Sequence, residues 1–118
     1  MAIKPIRVNL AERSYEVTYG ESFSALKGIR QDNQFVLIDA RVDRLHGSEF
    51  RRVLKGTPFL RIPSGESSKN FALLEKTANE LVRLGANRKS TLIAIGGGVV
   101  GDFTGFLAAI FMRGIKFI

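Results

Sequence analysis

"IAIGGGVVGDFTGFLAAIFMRG" (residues 93–114) decides the fold, because glycines at 96, 97, 98 and 101 and one acid, Asp102, interrupt an otherwise apolar run. As a membrane span the stretch fails. Each glycine costs a helix about 1 kcal/mol relative to alanine, Asp102 near the middle adds about 2.5–3.5 kcal/mol of insertion cost, and each half is too short to cross a bilayer. As a buried strand (90–97), a glycine turn and a helix (99–113) it works, with Phe103, Phe106, Leu107, Ile110 and Phe111 as the packing residues. Packing alone leaves the glycines unexplained. "GGGVVG" (96–101) satisfies G-x-G-x-x-G directly after a strand and before a helix, where unpaired backbone N–H groups and the helix dipole suit a pyrophosphate.

A standard dinucleotide unit also needs an acid about 20 positions further on for the ribose hydroxyls, and residues 103–118 contain none. Ribose contacts must then come from acids at the ends of earlier strands, where open α/β sheets place their ligands. Two such places exist: Asp39 after "FVLI", and Glu66 with Lys69 in "SGESSK" after "FLRIP". The competing reading is helix capping for the two acids and a solvated first-turn position for Lys69. Asp102, read as lying in the first helical turn, would repel a phosphate there and is expected to cap or to hold a hydroxyl. Arg113 lies 11 residues later, on nearly the same helical face and roughly 16 Å along the axis. It suits either a second anion, on a substrate or from a neighbouring subunit, or pairing with the helix C-terminus.

Outward from this stretch, Ile6, Val8 and Leu10, then Tyr15, Val17 and Tyr19, alternate with polar residues around "AER", which predicts a hairpin closed by Gly20. "ESFSALKGIR" (21–30) is a short amphipathic helix candidate, and "QFVLIDA" (34–40) an apolar run suited to a strand buried on both faces. A helical stretch runs through Leu54 to a turn at Lys55-Gly56, and "TPFLRIP" (57–63) reads as another strand. Phe71, Leu74, Ala78, Leu81 and Val82 mark a helix over 68–84, with Gly85 at its C-cap. "IKFI" opens a final strand, so the chain is expected to be a piece of a longer protein. Strands and helices alternate from residue 21, which predicts an α/β fold: a Rossmann-like open parallel sheet with helices on both faces, plus the N-terminal β-hairpin, in one domain over 1–118.

The 118 residues are 45% hydrophobic and 25% charged, the composition of a folding globular chain. No cysteine and a single histidine, His46, rule out a disulfide framework and a Cys/His zinc site. The net charge of +7 favours anionic partners. The basic residues are scattered, without a stripe interleaved with aromatics, so a phosphorylated small molecule is preferred over nucleic acid or a membrane. A basic nucleic-acid-binding module is the alternative of a different class. The alternating N-terminus has no signal-peptide pattern, which points to the cytoplasm.

"GGGVVGDFTGFLAAIFMRGIKFI" (96–118), preceded by "PSGESSK" (63–69), resembles the N-terminal cofactor-binding domain of the 3-dehydroquinate synthase family, among the sugar-phosphate cyclases. The resemblance is strongest from about Ile62 onward. Iron-dependent alcohol and glycerol dehydrogenases share the architecture but usually carry a serine after the three glycines, where Val99 stands here. The resemblance implies an NAD-dependent lyase of the shikimate pathway, acting on 3-deoxy-arabino-heptulosonate 7-phosphate. It also implies a homodimer and a divalent metal, zinc or cobalt, whose ligands lie with the catalytic lysines in a C-terminal helical domain. By motif, Gly97, Gly98, Val99, Val100, Gly101 and Asp102 would hold the NAD pyrophosphate and adjacent ribose. Gly65, Glu66 and Lys69 would contact the adenosine side with help from Asp39, and Arg113 matches a substrate-binding arginine. No catalytic residue or metal ligand is implied within 1–118. One position departs: two residues past Asp39, where the family often has asparagine, stands Arg41.

Overall fold

The structure is a computed structural model that describes residues 4–20, 23, 26, 28 and 32–118. The helix expected over 21–30 falls mostly outside these residues. The hairpin forms as β1 (Ile6–Val8) and β2 (Tyr15–Val17), antiparallel, with Ile6 opposite Val17 and Val8 opposite Tyr15.

Four further strands, β3 (Gln34–Asp39), β4 (Phe59–Ile62), β5 (Thr91–Ile95) and β6 (Lys116–Phe117), make one all-parallel sheet in the order β4-β3-β5-β6. Three helices connect them: α1 (Ala40–Val53), α2 (Phe71–Arg83) and α3 (Gly98–Ile110). The central strand β3 is buried from Gln34 through Ile38, as its unbroken apolar run requires of a strand covered twice. Its side chains alternate between two cores. Phe35 and Leu37 join Leu60, Ile62 and Leu92 with Leu81 of α2 and Val100, Phe103 and Leu107 of α3. Val36 and Ile38 join Ile93, Ile95 and Leu54, with Val42 and Phe50 of α1 against them. Helices therefore cover both faces.

Element boundaries fall where local chemistry stops the ladder or the helix. β4 is shorter than expected because Pro58 and Pro63 bracket it and neither has an N–H to donate; the Pro58 carbonyl still accepts from Val36 N at 2.9 Å. α2 starts at Phe71 rather than 68, since Asn70 caps it by accepting from Leu73 N, while Glu66–Ser68 form a 3-10 turn. Gly85, at φ +93°, ends α2 as expected; Ala86 N returns to Leu81 O at 2.9 Å. α3 stops at Ile110, three residues before the expected end. Met112 and Arg113 take positive φ in a 3-10 turn, and Ile115 N folds back onto Ala108 O to start β6.

The strand order reverses direction between β3 and β5: the chain leaves β3 for β4 on one side, then crosses to β5 on the other. The C-terminal ends of these two strands bound the crevice where open α/β sheets bind ligands.

Candidate functional site

β3 ends in Asp39 and β5 ends at the glycine turn, and the two ends are packed against each other. A Cβ built on Gly96 would stand 2.9 Å from Asp39 Cβ and 3.3 Å from Val100 Cβ. Gly96 is thus a glycine because the fold leaves it no room. Gly97, Gly98 and Gly101 differ, since a Cβ on any of them would meet nothing within 4 Å. The backbone surface there is bare and faces open space.

The three helices that follow the strands begin differently. Asp39 caps α1 and Asn70 caps α2, whereas the residue in the capping position of α3, Gly97, has no side chain to offer. Gly101 N closes the first helical bond to Gly97 O at 3.0 Å. The amides of Gly97, Gly98, Val99 and Val100 have no intrahelical acceptor, and they sit at the positive end of the helix dipole. Donors in this arrangement bind an anion such as a phosphate.

Asp39 anchors the second side. Its Oδ1 accepts from Arg41 N (2.8 Å), Val42 N (3.1 Å) and Ser64 Oγ (2.8 Å). Burial alone would raise the Asp39 pKa, but the bonds from Ser64, Val42 and Arg41 and the Arg41 charge outweigh it and hold the carboxyl below its usual value. The capping reading of Asp39 is thereby realised, through one oxygen. Ser64 went unnoticed in the sequence. The parallel register that sets Asp39 beside Ile62 carries Ser64, two residues on, within reach of the carboxylate.

The third side is the segment after β4. Gly65, at φ +100°, opens the 3-10 turn Glu66–Ser68, and the buried Ser68 hydroxyl donates to Pro63 O. Lys69 Nζ lies 2.8 Å from Asp102 Oδ2 and 3.3 Å from Glu66 Oε2. Asp102, then Glu66, raise the Lys69 pKa through these bonds. Lys69 and Asp102 together with Phe71, Leu74, Phe103 and Phe106 line a pocket of about 270 Å³ beside the pair.

Asp102 departs from its expected place: it is the fifth residue of α3, beyond the first turn, and caps nothing. It pairs with Lys69 instead, which offsets the repulsion it would exert on a phosphate at the turn. Arg113 also departs. α3 ends at Ile110, and the positive φ of Met112 and Arg113 takes the arginine out of the helical register. The 13 residues of α3 put about 20 Å of helix between it and the glycine turn. Asp39, Gly65, Glu66, Lys69 and residues 97–102 thus gather at the C-terminal ends of β3, β4 and β5, and Arg113 stands at the other end of α3. Among the described residues no group of three His, Asp or Glu side chains could hold a metal ion, and no helix is long and apolar enough to cross a membrane.

Residues 59–118 match the family model described as 3-dehydroquinate synthase N-terminal. A 3-dehydroquinate synthase of Saccharophagus degradans is 36% identical over 124 residues, covering 98% of this chain and 34% of its own length. That of Paracoccus denitrificans is 38% identical over 130 residues, covering 100% and 35%. The chain spans about a third of the length of the curated relatives it matches. In fold it is similar to 2-deoxy-scyllo-inosose synthase, solved with carbaglucose-6-phosphate, NAD+ and Co2+ (TM-score 0.80, 24% identity, 97% of this chain and 34% of that one). The 2-epi-5-epi-valiolone synthase of Streptomyces hygroscopicus, solved with NAD+ and Zn2+, is 26% identical at a TM-score of 0.62, over 71% of this chain and 25% of its own. With the glycine turn and the "PSGESSK" segment both inside the matched region, the chain belongs to the 3-dehydroquinate synthase family and corresponds to its N-terminal domain.

Proposed function

We propose that this chain is the NAD-binding part of a 3-dehydroquinate synthase, the enzyme that converts 3-deoxy-arabino-heptulosonate 7-phosphate into 3-dehydroquinate with elimination of phosphate. The observation that carries this reading is the uncapped, bare-backboned N-terminus of α3 set against Asp39 at the point where strand order reverses. It is supported by the family match and by two cyclase relatives solved with NAD+.

In this reading the amides of Gly97 through Gly98, Val99 and Val100 hold the pyrophosphate. Gly101 keeps the first helical turn free of a side chain at that surface. Asp102 and Lys69, paired with each other, present a carboxylate and an ammonium to ribose hydroxyls, and Glu66, exposed and in reach of the same lysine, adds an acceptor. Asp39 and Gly65 border the adenosine side. The bound cofactor supplies a reversible hydride acceptor. Arg113 binds an anionic substrate group; its exposed guanidinium sits on a residue held at φ +71°, a conformation costing on the order of 1–3 kcal/mol.

The divalent metal that the family implies does not fit the described residues, and no step on this chain runs through it. The chain alone is accordingly expected to be inactive as a synthase, with a homodimeric, cytoplasmic enzyme as its setting. A titration of the chain with NAD, together with an assay of phosphate release from the heptulosonate 7-phosphate, tests both parts. NAD binding without phosphate release is expected; an absence of NAD binding would sink the proposal.

A further inference from the structure

We propose that Arg41 makes the dinucleotide site tolerant of a 2′-phosphate, so that NADP binds about as well as NAD. This rests on the reading of the crevice between β3 and β5 as a dinucleotide site. A dinucleotide whose pyrophosphate lies on the glycine turn directs its adenosine ribose toward the end of the neighbouring strand, where an acid receives the 2′-hydroxyl and a nearby arginine accommodates a 2′-phosphate. Here the neighbouring strand is β3, and its last residue, Asp39, touches the turn at Gly96.

Two features at that strand end favour the phosphate. Asp39 Oδ1 accepts three hydrogen bonds, from Arg41 N, Val42 N and Ser64 Oγ, and the dipoles of these donors offset part of the charge with which the carboxylate would repel a second anion. Arg41 follows at the start of α1 with its backbone N–H fixed on Asp39 Oδ1 and, at 3.2 Å, on Ser64 Oγ. The base of its side chain is therefore anchored at the rim of the crevice.

The Arg41 guanidinium itself is exposed and has no ion pair or side-chain hydrogen bond among the described residues. Arg51 and Arg61 both pair with Asp43, and Arg61 also donates to Ala40 O at 3.2 Å; Arg44, one turn further along α1, is exposed like Arg41 but lies further from the strand end. Arg41 thus presents an unspent planar fork, the geometry that grips phosphate bidentately. The N-terminal end of the α1 dipole adds positive potential around it.

The test is a titration of the 118-residue chain with NAD and, separately, NADP, followed by amide chemical shifts, for wild type, Arg41→Gln and Arg41→Lys. Arg41 is exposed and its backbone bonds survive substitution, so unchanged melting temperatures are expected for both variants. NADP affinity within about tenfold of NAD in the wild type, lost selectively by about tenfold in Arg41→Gln and partly kept in Arg41→Lys, supports the proposal. NADP binding weaker than NAD by more than that margin, or a glutamine variant that weakens both nucleotides alike or neither, overturns it while leaving the NAD reading intact. Binding of neither nucleotide overturns both.

Discussion

Gly96 and Asp39 lock the ends of β5 and β3 together: a methyl group on Gly96, whose φ is +151°, would sit 2.9 Å from Asp39 Cβ. Gly96→Ala is therefore expected to lose on the order of 1–3 kcal/mol through overpacking, with each kcal/mol lowering Tm by about 4–8 °C. Gly101→Ala should behave oppositely. Its new methyl meets no protein atom within 4 Å and removes helix-destabilising flexibility, for a gain of about 0.4–1 kcal/mol, yet it intrudes on the bare surface proposed for the pyrophosphate. Thermal unfolding paired with NAD titration separates the two glycines.

Asp39 gives a pH signature. Its carboxyl is held below the usual value by Ser64 and by the first amides of α1, so the stability it adds is present above roughly pH 4 and is lost as the pH falls through the lower, folded-state value. Asp39→Asn keeps an acceptor for the cap and should flatten the acid limb of the Tm-against-pH curve. Asp39→Ala removes the cap as well and should cost about 1 kcal/mol at neutral pH. Parallel acid limbs in wild type and Asp39→Asn would contradict this assignment.

The Lys69–Asp102 pair joins the segment after β4 to α3 at an exposed position, and such pairs add little stability. Lys69→Ala should leave Tm nearly unchanged while weakening NAD several-fold. Because the folded-state pKa of Lys69 is raised, the pair is complete at and below the ordinary lysine value and is lost only as the pH rises through the higher one. Flat NAD affinity from pH 6 to 9 is expected on that ground.

Much of this arrangement was legible in the sequence, and the exceptions share a cause. The apolar run 35–38 and the helical spacing of Leu74, Ala78 and Leu81 report burial by neighbours along one element, so β3, α2 and the two-faced sheet follow from period and order, whereas Phe71 and Val82 of the same α2 pattern, and Phe106 and Ile110 of α3, stay exposed because no described element covers them. The apolar residues place the start of α3 at Val99, whereas the helix begins one residue earlier at Gly98, so its first turn ends before Asp102. Arg113 was projected along a helix that Met112 ends by adopting φ +46°, a conformation that no local propensity of methionine announces. Ser64 on Asp39 and Lys69 on Asp102 are contacts across 25 and 33 residues. Such contacts emerge only once the register of β3 against β4 and the packing of α3 are known.

Thr104 Oγ1 is, among the described residues, a fully buried hydroxyl with no protein partner. Thr104→Val keeps the shape and removes the desolvated polar group, so a gain of about 1 kcal/mol is expected, read as a rise in Tm. A fall would show that the hydroxyl is satisfied in solution.

The most direct measurement is an amide chemical-shift map of the chain titrated with NAD, alongside a short DNA duplex. The largest changes are expected at Gly97, Gly98, Val99, Val100 and Gly101, with Asp39 and Lys69 next and little response to the duplex. Changes confined to the scattered basic surface around Arg88 and Lys89, tight salt-sensitive duplex binding without a response to NAD, or an unresponsive glycine turn would contradict the assignment of this end of the sheet as the cofactor site.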